Sequence, residues 1–197
     1  MDIRELNDRL DTIYSIVCWA LMAKERYMEI LNNKDKFATV FPDVEFSNPR
    51  ITFSIDGSGE IFSTTKNEIV GEHNHDLFKA WQIALGIAGM TSIMESYLKS
   101  TAEKVTGKQL SGMGIFYKFS EETKIDLTEF EDYDKIHKYH EVRNITLHNL
   151  GTIDHKFIER VKSEIVTPGP YVFYTIDLQK YRDLIIRIAV YIELKLE

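Results

Sequence analysis

Apolar residues recur at alternating three- and four-residue steps over residues 2–32, which is the spacing of one face of an α-helix. Charged residues occupy the other side of the same segment, and we expect the apolar stripe to face a core. We predict one long helix here, ended by Asn32 and Asn33. The stripe consists of Ile3, Leu6, Leu10, Ile13, Val17, Ala20, Tyr27 and Leu31, with one gap at Lys24.

The pattern changes in residues 34–72, where Pro42 and Pro49 break helical continuity. Residues 51–55 and 60–64 alternate apolar and polar side chains, as half-buried strands do. The residues between them, 56–59, include two glycines and have turn chemistry. We predict a small β-hairpin inserted between helices in this region.

A second long apolar segment follows, and Asp76 is the predicted N-cap of a helix that runs to about Val105. Gly107 fits its C-terminal stop. Gly86 and Gly89 disfavour a helix interior, and a close helix crossing is the ordinary reason to keep them there. The apolar side is predicted to comprise Phe78, Trp81, Leu85, Ala88, Ser92, Tyr97 and Leu98, widened by Ala84, Ile87, Met90, Ile93 and Met94.

The last third of the chain predicts three more helices. Residues 108–118 are interpreted as a connection, and the acidic run over residues 120–134 as solvated surface. The third helix is predicted from Glu131 to Leu150, with Gly151 as its stop. A fourth, shorter helix capped by Thr152 or Asp154 ends before Pro168, residues 171–176 have strand composition, and Asp177 caps a final helix. Its inward residues are Tyr181, Leu184, Ile185, Ile188, Tyr191 and Ile192.

Together these segments predict an all-α protein, a bundle of about four to five helices with a small inserted β-hairpin around residues 34–72. With 197 residues, of which 44% are hydrophobic, we expect a single domain over 1–197. The net charge of −7 argues against a general nucleic-acid coat but allows a local cationic site. Cys18 is the only cysteine. With no signal-peptide pattern and no membrane-spanning stretch, we expect a cytoplasmic protein without membrane association.

Candidate chemistry is concentrated in the third helix, which supplies a cation, an amide and an imidazole within two turns at Arg143, Asn144 and His148. Arginine holds phosphate oxygens bidentately, and histidine can take or give a proton near neutral pH. Asn144 and His148 are four residues apart and share a face, whereas Arg143 and His148 diverge by roughly 140° on an ideal helix. A second copy of the helix from a dimer partner would close that gap.

Other polar residues are weaker candidates. Glu141 is a candidate supporter of the site together with Asn144. His137, His140, Lys135 and Lys138 are alternatively solvated surface or positive charge for RNA binding, and of these we select Lys138 and His140 as RNA-binding candidates. His73 and His75 have metal-ligand chemistry but no second ligand cluster, so we expect no metal and no other cofactor. A metal hydrolase that uses His73, His75, His137 or His140 is a further alternative.

The segment Arg143-Asn144-x-x-x-His148 resembles the R-N-x-x-x-H signature of HEPN domains. Asn149 and Gly151, followed by Ile153, Asp154 and Phe157, are similar to the run that often follows the signature in bacterial HEPN proteins. The local resemblance covers residues 136–160. Two long helices before the motif helix and a shorter one after it also match the family.

This resemblance implies a metal-independent endoribonuclease that cleaves RNA by attack of the 2′-oxygen and leaves a 2′,3′-cyclic phosphate. It implies a homodimer with a composite active site, in which Arg143 and His148 are catalytic and Asn144 supports them. Many relatives are toxins of toxin–antitoxin pairs or antiviral-defence effectors, so an antitoxin or another regulatory protein is an expected partner. The alternative is a catalytically inactive HEPN module that binds nucleotide, RNA or a protein partner.

Two features weigh on this interpretation. Toxins controlled by a nucleotidyltransferase antitoxin often carry a tyrosine two positions after the histidine, where this chain has Leu150. In addition, the helix dipole favours an arginine and a histidine near any helix C-terminus, and Asn-Leu-Gly is common capping chemistry. A purely structural role for the motif is therefore the competing hypothesis.

Overall fold

Helices account for most of the chain in a computed structural model, which describes residues 1–43, 46, 50–54, 61–65, 72–112, 114–148, 152–153, 155–161, 169–170 and 175–197. The helices are α1 (Ile3–Asn32), α2 (Lys34–Val40), α3 (Glu72–Thr106), α4 (Ile115–Thr123), α5 (Tyr133–His148), α6 (His155–Val161) and α7 (Thr175–Leu196), with a 3-10 helix at Leu127–Glu129. The strands are β1 (Arg50–Ser54), β2 (Ile61–Thr65), β3 (Thr152–Ile153) and β4 (Gly169–Pro170).

The predicted all-α class is confirmed by these elements. Strands β1 and β2 pair antiparallel, with Phe53 opposite Phe62, and they cover nearly the same residues as the two predicted strands. The turn predicted at residues 56–59 and the helix stop predicted at Gly151 lie outside the described residues. No helix within the described ranges is long and apolar enough to cross a membrane.

The chain divides into two compact units, one formed by Met1–Val17 with Ile83–Glu197 and the other by Cys18–Gln82. The predicted single HEPN-like domain remains a prediction. The larger unit contains α5 and is built around α1, α3, α5 and α7, each of which contributes fully buried apolar side chains. These include Leu6, Leu10, Ile87, Met90, Ile136, Val142, Ile185 and Ile188.

Helix α7 is tied to its neighbours by polar groups at the edge of this core. The Thr91 hydroxyl lies 2.8 Å from the Tyr181 hydroxyl, and the Tyr181 ring stacks on Tyr139 of α5 with centroids 4.5 Å apart. Arg182 donates from Nε to Asp11 of α1 at 2.6 Å. Because these bonds are made in or beside the core, they set the rotation of α7 against α3 and α5.

The smaller unit has its own apolar cluster, in which Leu31 and Phe37 are fully buried and Tyr27, Phe41 and Phe46 pack against them. Helix α2 was not predicted. Asn33, which we interpreted only as a helix stop, also begins α2, because its side chain accepts from the backbone N–H groups of Asp35 and Lys36.

Several predicted boundaries are wrong. Helix α3 begins at Glu72, so Asp76 lies inside the helix and is not its N-cap. Asp177 lies in the first turn of α7, where a carboxylate suits the helix dipole, and the helix begins at Thr175. Thr152 belongs to β3 and does not cap α6, and the other candidate cap, Asp154, lies outside the described residues.

The interpretation of residues 108–134 also needs correction. The predicted connection contains the start of α4, which begins after Gly114 at a φ of 74° and buries Ile115, Phe116 and Phe119. The acidic run is not wholly solvated, because Asp132 is only 5% exposed. Its carboxylate is paired with Lys135 and Arg187, each at 2.5 Å.

The predicted close helix crossing is present at Gly86. A Cβ added there would lie 2.8 Å from Leu178 Cδ1 and 2.9 Å from Val17 Cγ2, both shorter than side chains allow. At Gly89 an added Cβ would lie 3.3 Å from Ile13 Cδ1, the end of a flexible side chain. A side chain at position 86 would therefore force the buried side chains of Val17 and Leu178 to shift where α1, α3 and α7 meet.

We expect Gly86→Ala to lower the free energy of unfolding by about 1 kcal/mol net, since overpacking costs about 1–3 kcal/mol and exceeds the helix-propensity gain of about 1 kcal/mol. Gly89→Ala is the matched control and should leave stability unchanged or raised. Urea denaturation of both variants measures the difference. Equal stabilisation by the two substitutions would contradict the close crossing.

Candidate functional site

Helix α5 separates the core of the larger unit from a cavity. Ile136, Tyr139, Val142 and Ile145 are buried on one side of the helix. The other side lines a cavity of about 680 Å³ that is also bordered by α3, α4 and α6. The lining residues are Glu95, Gly112, Gly114, Ile115, Phe116, Tyr117, Tyr133, His137, His140, Glu141, Arg143, Asn144 and Arg160.

Glu141 is the buried centre of this site, with only 7% of its surface exposed. Asn144 donates from Nδ2 to Glu141 Oε1 at 3.3 Å, and Arg160 of α6 donates from Nη1 to Oε2 at 3.1 Å. A buried carboxylate without partners would be strongly unfavourable, and these two bonds supply its partners. The Arg160 bond also fixes α6 against α5.

Arg143 is held in the cavity by Asn144, whose Oδ1 accepts from Arg143 Nη1 at 3.0 Å. Its Nε is buried and has no hydrogen-bond partner among the described residues. Within that part of the chain Arg143 forms no ion pair with a carboxylate. A buried guanidinium donor with nothing to bind is costly, and a phosphate oxygen has the chemistry to fill that position.

His140 lies between two carboxylates. Its Nε2 is 3.2 Å from Glu95 Oε1 of α3, and its Nδ1 is 3.9 Å from Glu141 Oε1. The ring of Phe116 packs edge-on against the imidazole with centroids 5.1 Å apart. The hydrogen bond from His140 lowers the pKa of Glu95 despite its partial burial, so Glu95 is ionised at neutral pH.

His137 lines the same cavity but brings no positive charge at neutral pH, because burial lowers the pKa of its imidazole. The arginines that line the cavity are Arg143 and Arg160. Two carboxylates, Glu95 and Glu141, lie beside them.

Four of the six predicted site residues, Glu141, Arg143, Asn144 and His140, are brought together in this cavity. Lys138 is not, since it lines a separate cavity of about 530 Å³ with Lys135, Lys180 and Arg187. His148 is the last residue of α5, and the structure describes its backbone but not its side chain.

The position of His148 along the helix continues the row of cavity residues. His137, Glu141, Asn144 and His148 are spaced by four, three and four residues, which is the repeat of a single helix face. Arg143 lies at the edge of that row.

Two charged lining residues, Glu95 and Arg160, are not identified by the sequence analysis. Glu95 comes from a helix interior 45 residues before His140, and Arg160 lies 19 residues after Glu141. One available signal was the charge of Glu95 within an otherwise apolar helix, since buried charges are rare unless paired.

Among the described residues, no group of three or more histidine, cysteine or acidic side chains is placed to hold a metal ion. The side chains of His73 and His75 lie outside those residues. Comparison with protein-family models, curated proteins and solved structures finds no match to this chain. The resemblance to HEPN domains therefore rests on the sequence of residues 136–160.

The hydrogen bond between Glu95 and His140 predicts a pH-dependent contribution to stability. The pKa of Glu95 is lower in the folded state than its unfolded value of 4.5, so the ionised carboxylate stabilises the fold above pH 4.5. This stabilisation is lost as the pH falls through the lower folded pKa. Urea unfolding should show that Glu95→Gln destabilises more at about pH 5.5 than at about pH 3.

Glu103→Gln, which removes an exposed carboxylate from the same helix, is the control for losing one negative charge. A difference between the two variants that stays constant across this pH range would contradict the assignment of a stabilising, ionised Glu95.

Proposed function

We propose that this protein is a metal-independent endoribonuclease of HEPN type. The observation that carries the proposal is Arg143, a cavity-lining guanidinium with a buried, unpartnered Nε among the described residues. It belongs to the same motif as His148, whose position continues the row of cavity residues on α5. A phosphodiester is the ligand that both groups suit.

The reaction follows from these groups. Arg143 binds the non-bridging phosphate oxygens and stabilises the charge that grows on them as the 2′-oxygen attacks phosphorus. His148 transfers a proton at one of the two ester oxygens. Asn144 holds the guanidinium through Oδ1 and is itself held by Glu141. The products are a 2′,3′-cyclic phosphate and a 5′-hydroxyl, and neither a metal nor a cofactor takes part.

A homodimer with a composite site is part of the proposal, because Arg143 and His148 diverge by roughly 140° on one ideal helix. A second copy of α5 would present its own arginine and histidine to the same substrate. The biological setting, a toxin or antiviral-defence effector held in check by an antitoxin or another regulatory protein, rests on the resemblance alone. Because the position two residues after His148 is Leu150 and not tyrosine, we do not expect control by modification of a tyrosine there.

We expect wild-type protein to cleave end-labelled RNA in excess EDTA, and His148→Ala to lower the rate by about 10²–10⁴-fold through loss of proton transfer. Arg143→Ala should lower it by about 10²–10³-fold through loss of charge stabilisation. Single-turnover kinetics with all proteins at one concentration measure both effects.

His155→Ala and Arg9→Ala are the matched controls, because both side chains are exposed and neither lines the cavity. Circular dichroism and urea unfolding establish that each variant is folded. Binding of RNA without cleavage, unchanged in His148→Ala, would contradict the proposal and favour a non-catalytic HEPN module.

The composite site makes its own prediction. Arg143→Ala and His148→Ala are each expected to be strongly impaired alone, and a mixture of the two should recover part of the wild-type activity. In a mixed dimer one subunit supplies the intact arginine and the other the intact histidine. A mixture that exchanges subunits, as shown by affinity-tag pull-down, yet stays inactive would contradict a site shared between subunits.

A further inference from the structure

His140 lines the cavity, and a carboxylate is bound to one of its ring nitrogens. His140 of α5 and Glu95 of α3 come from different helices and are joined at 3.2 Å between Nε2 and Oε1. Both side chains are largely buried, with 17% and 20% of their surfaces exposed. Both line the same cavity as Arg143. This arrangement goes beyond the arginine and histidine of the sequence motif.

The bond to Glu95 selects one tautomer of the imidazole. Glu95 is ionised at neutral pH and can only accept, so Nε2 carries the hydrogen and Nδ1 is left with its lone pair in the neutral ring. Nδ1 lies 3.9 Å from Glu141 Oε1, which is too far for a hydrogen bond. Nδ1 is thus available as a proton acceptor in the cavity.

The ring lies between two carboxylates, with Glu95 Oε1 3.2 Å from Nε2 and Glu141 Oε1 3.9 Å from Nδ1. A carboxylate bound to the far ring nitrogen orients the histidine of a hydrolase triad in the same way. The titratable and charged groups that line the cavity around it are Glu95 from α3, His137, Glu141 and Arg143 from α5, and Arg160 from α6, with Tyr117 and Tyr133 as the phenols. Arg160 is bound to Glu141 and Arg143 to Asn144, which leaves Glu95 as the direct partner of His140.

Resting on the proposed ribonuclease function, we propose that His140 is the general base that activates the 2′-hydroxyl and that Glu95 is its positioning residue. His140 Nδ1 takes the proton of the 2′-hydroxyl as the 2′-oxygen forms its bond to phosphorus. The bond from phosphorus to the 5′-oxygen breaks, and that oxygen keeps the electron pair. It receives a proton from His148. After the product leaves, His140 returns its proton to water and His148 takes one from water, so both histidines regain their starting states.

The proposed roles of His140 and His148 can be distinguished by how the rate of each variant depends on the leaving group of the substrate. Uridine 3′-(4-nitrophenyl phosphate) releases 4-nitrophenolate, which needs no proton, whereas an RNA linkage releases an alkoxide that does. His148→Ala should therefore keep most of its activity on the nitrophenyl ester. His140→Gln should lose about 10²–10⁴-fold on both substrates, because each requires removal of the same 2′ proton.

The pH profile supplies a readout that a structural role would not change. The rise in kcat/KM with pH, which reports deprotonation of the base, should be present in wild type and in His155→Gln and absent from His140→Gln. Glu95→Gln keeps an acceptor oxygen but not the charge, and we expect a smaller loss of rate than for His140→Gln. The double variant should be no slower than His140→Gln alone, since both residues act through one group.

The outcomes distinguish this inference from the function on which it rests. Failure of wild type to cleave either substrate would overturn the ribonuclease proposal itself. Cleavage by wild type together with a His140→Gln rate within about threefold of it would overturn only the role of His140. A slow His140→Gln enzyme that keeps the wild-type rise with pH would do the same, since the variant would then be merely misfolded or mispositioned.

Discussion

A buried carboxylate on α5 is the constraint on which the candidate site depends. Glu141 is almost fully removed from water, and an ion in that position must be paired or it destabilises the fold. Its two oxygens are taken by the Asn144 amide and the Arg160 guanidinium. Since the Arg160 side chain is 56% exposed, the ion pair lies at the protein surface, where screening by solvent weakens the attraction. Its main consequence is geometric, because it fixes α6 and Asn144 relative to α5.

The remaining polar groups of the cavity follow from that arrangement. Asn144 has one amide, and because its Nδ2 donates to Glu141, its Oδ1 is turned toward Arg143. The arginine is therefore held by a neutral acceptor and keeps its charge for a ligand. His140, one residue before Glu141, is oriented from the other side by Glu95 of α3. Three helices thus contribute to one chain of hydrogen bonds and close charge contacts around a concave surface.

The sequence predicts the long helices well and their contacts poorly. The apolar faces predicted for α1 and α7 include residues that are buried in the structure, among them Leu6, Leu10, Tyr181 and Ile185. These faces can be predicted because a 3.6-residue repeat is a property of the local sequence. On α3 the predicted face was partly wrong, since Leu85 is 51% exposed. That helix is apolar over much of its circumference, so periodicity alone does not select the buried side.

Helix α4 is not predicted because Gly112 and Gly114 resemble a loop, yet Gly114 precedes the helix in a left-handed conformation and is its N-cap.

In the candidate site, too, residues that are neighbours in sequence are predicted and those brought together by packing are not. Arg143, Asn144 and Glu141 were found because they are adjacent on one helix, and the cavity includes all three. Glu95 and Arg160 are brought to this cavity only by tertiary packing. Tertiary packing also places Lys138 in a different cavity. No local pattern encodes those placements.

The most direct test of the account is the chemistry of the RNA ends that the wild-type protein leaves in excess EDTA, measured by mass spectrometry of a defined oligonucleotide. A 2′,3′-cyclic phosphate on one fragment and a 5′-hydroxyl on the other are the predicted result, because only attack of the 2′-oxygen produces that pair. Fragments with 5′-phosphate ends, or cleavage that appears only when a divalent metal is restored, would contradict a metal-independent site built on Arg143 and His148.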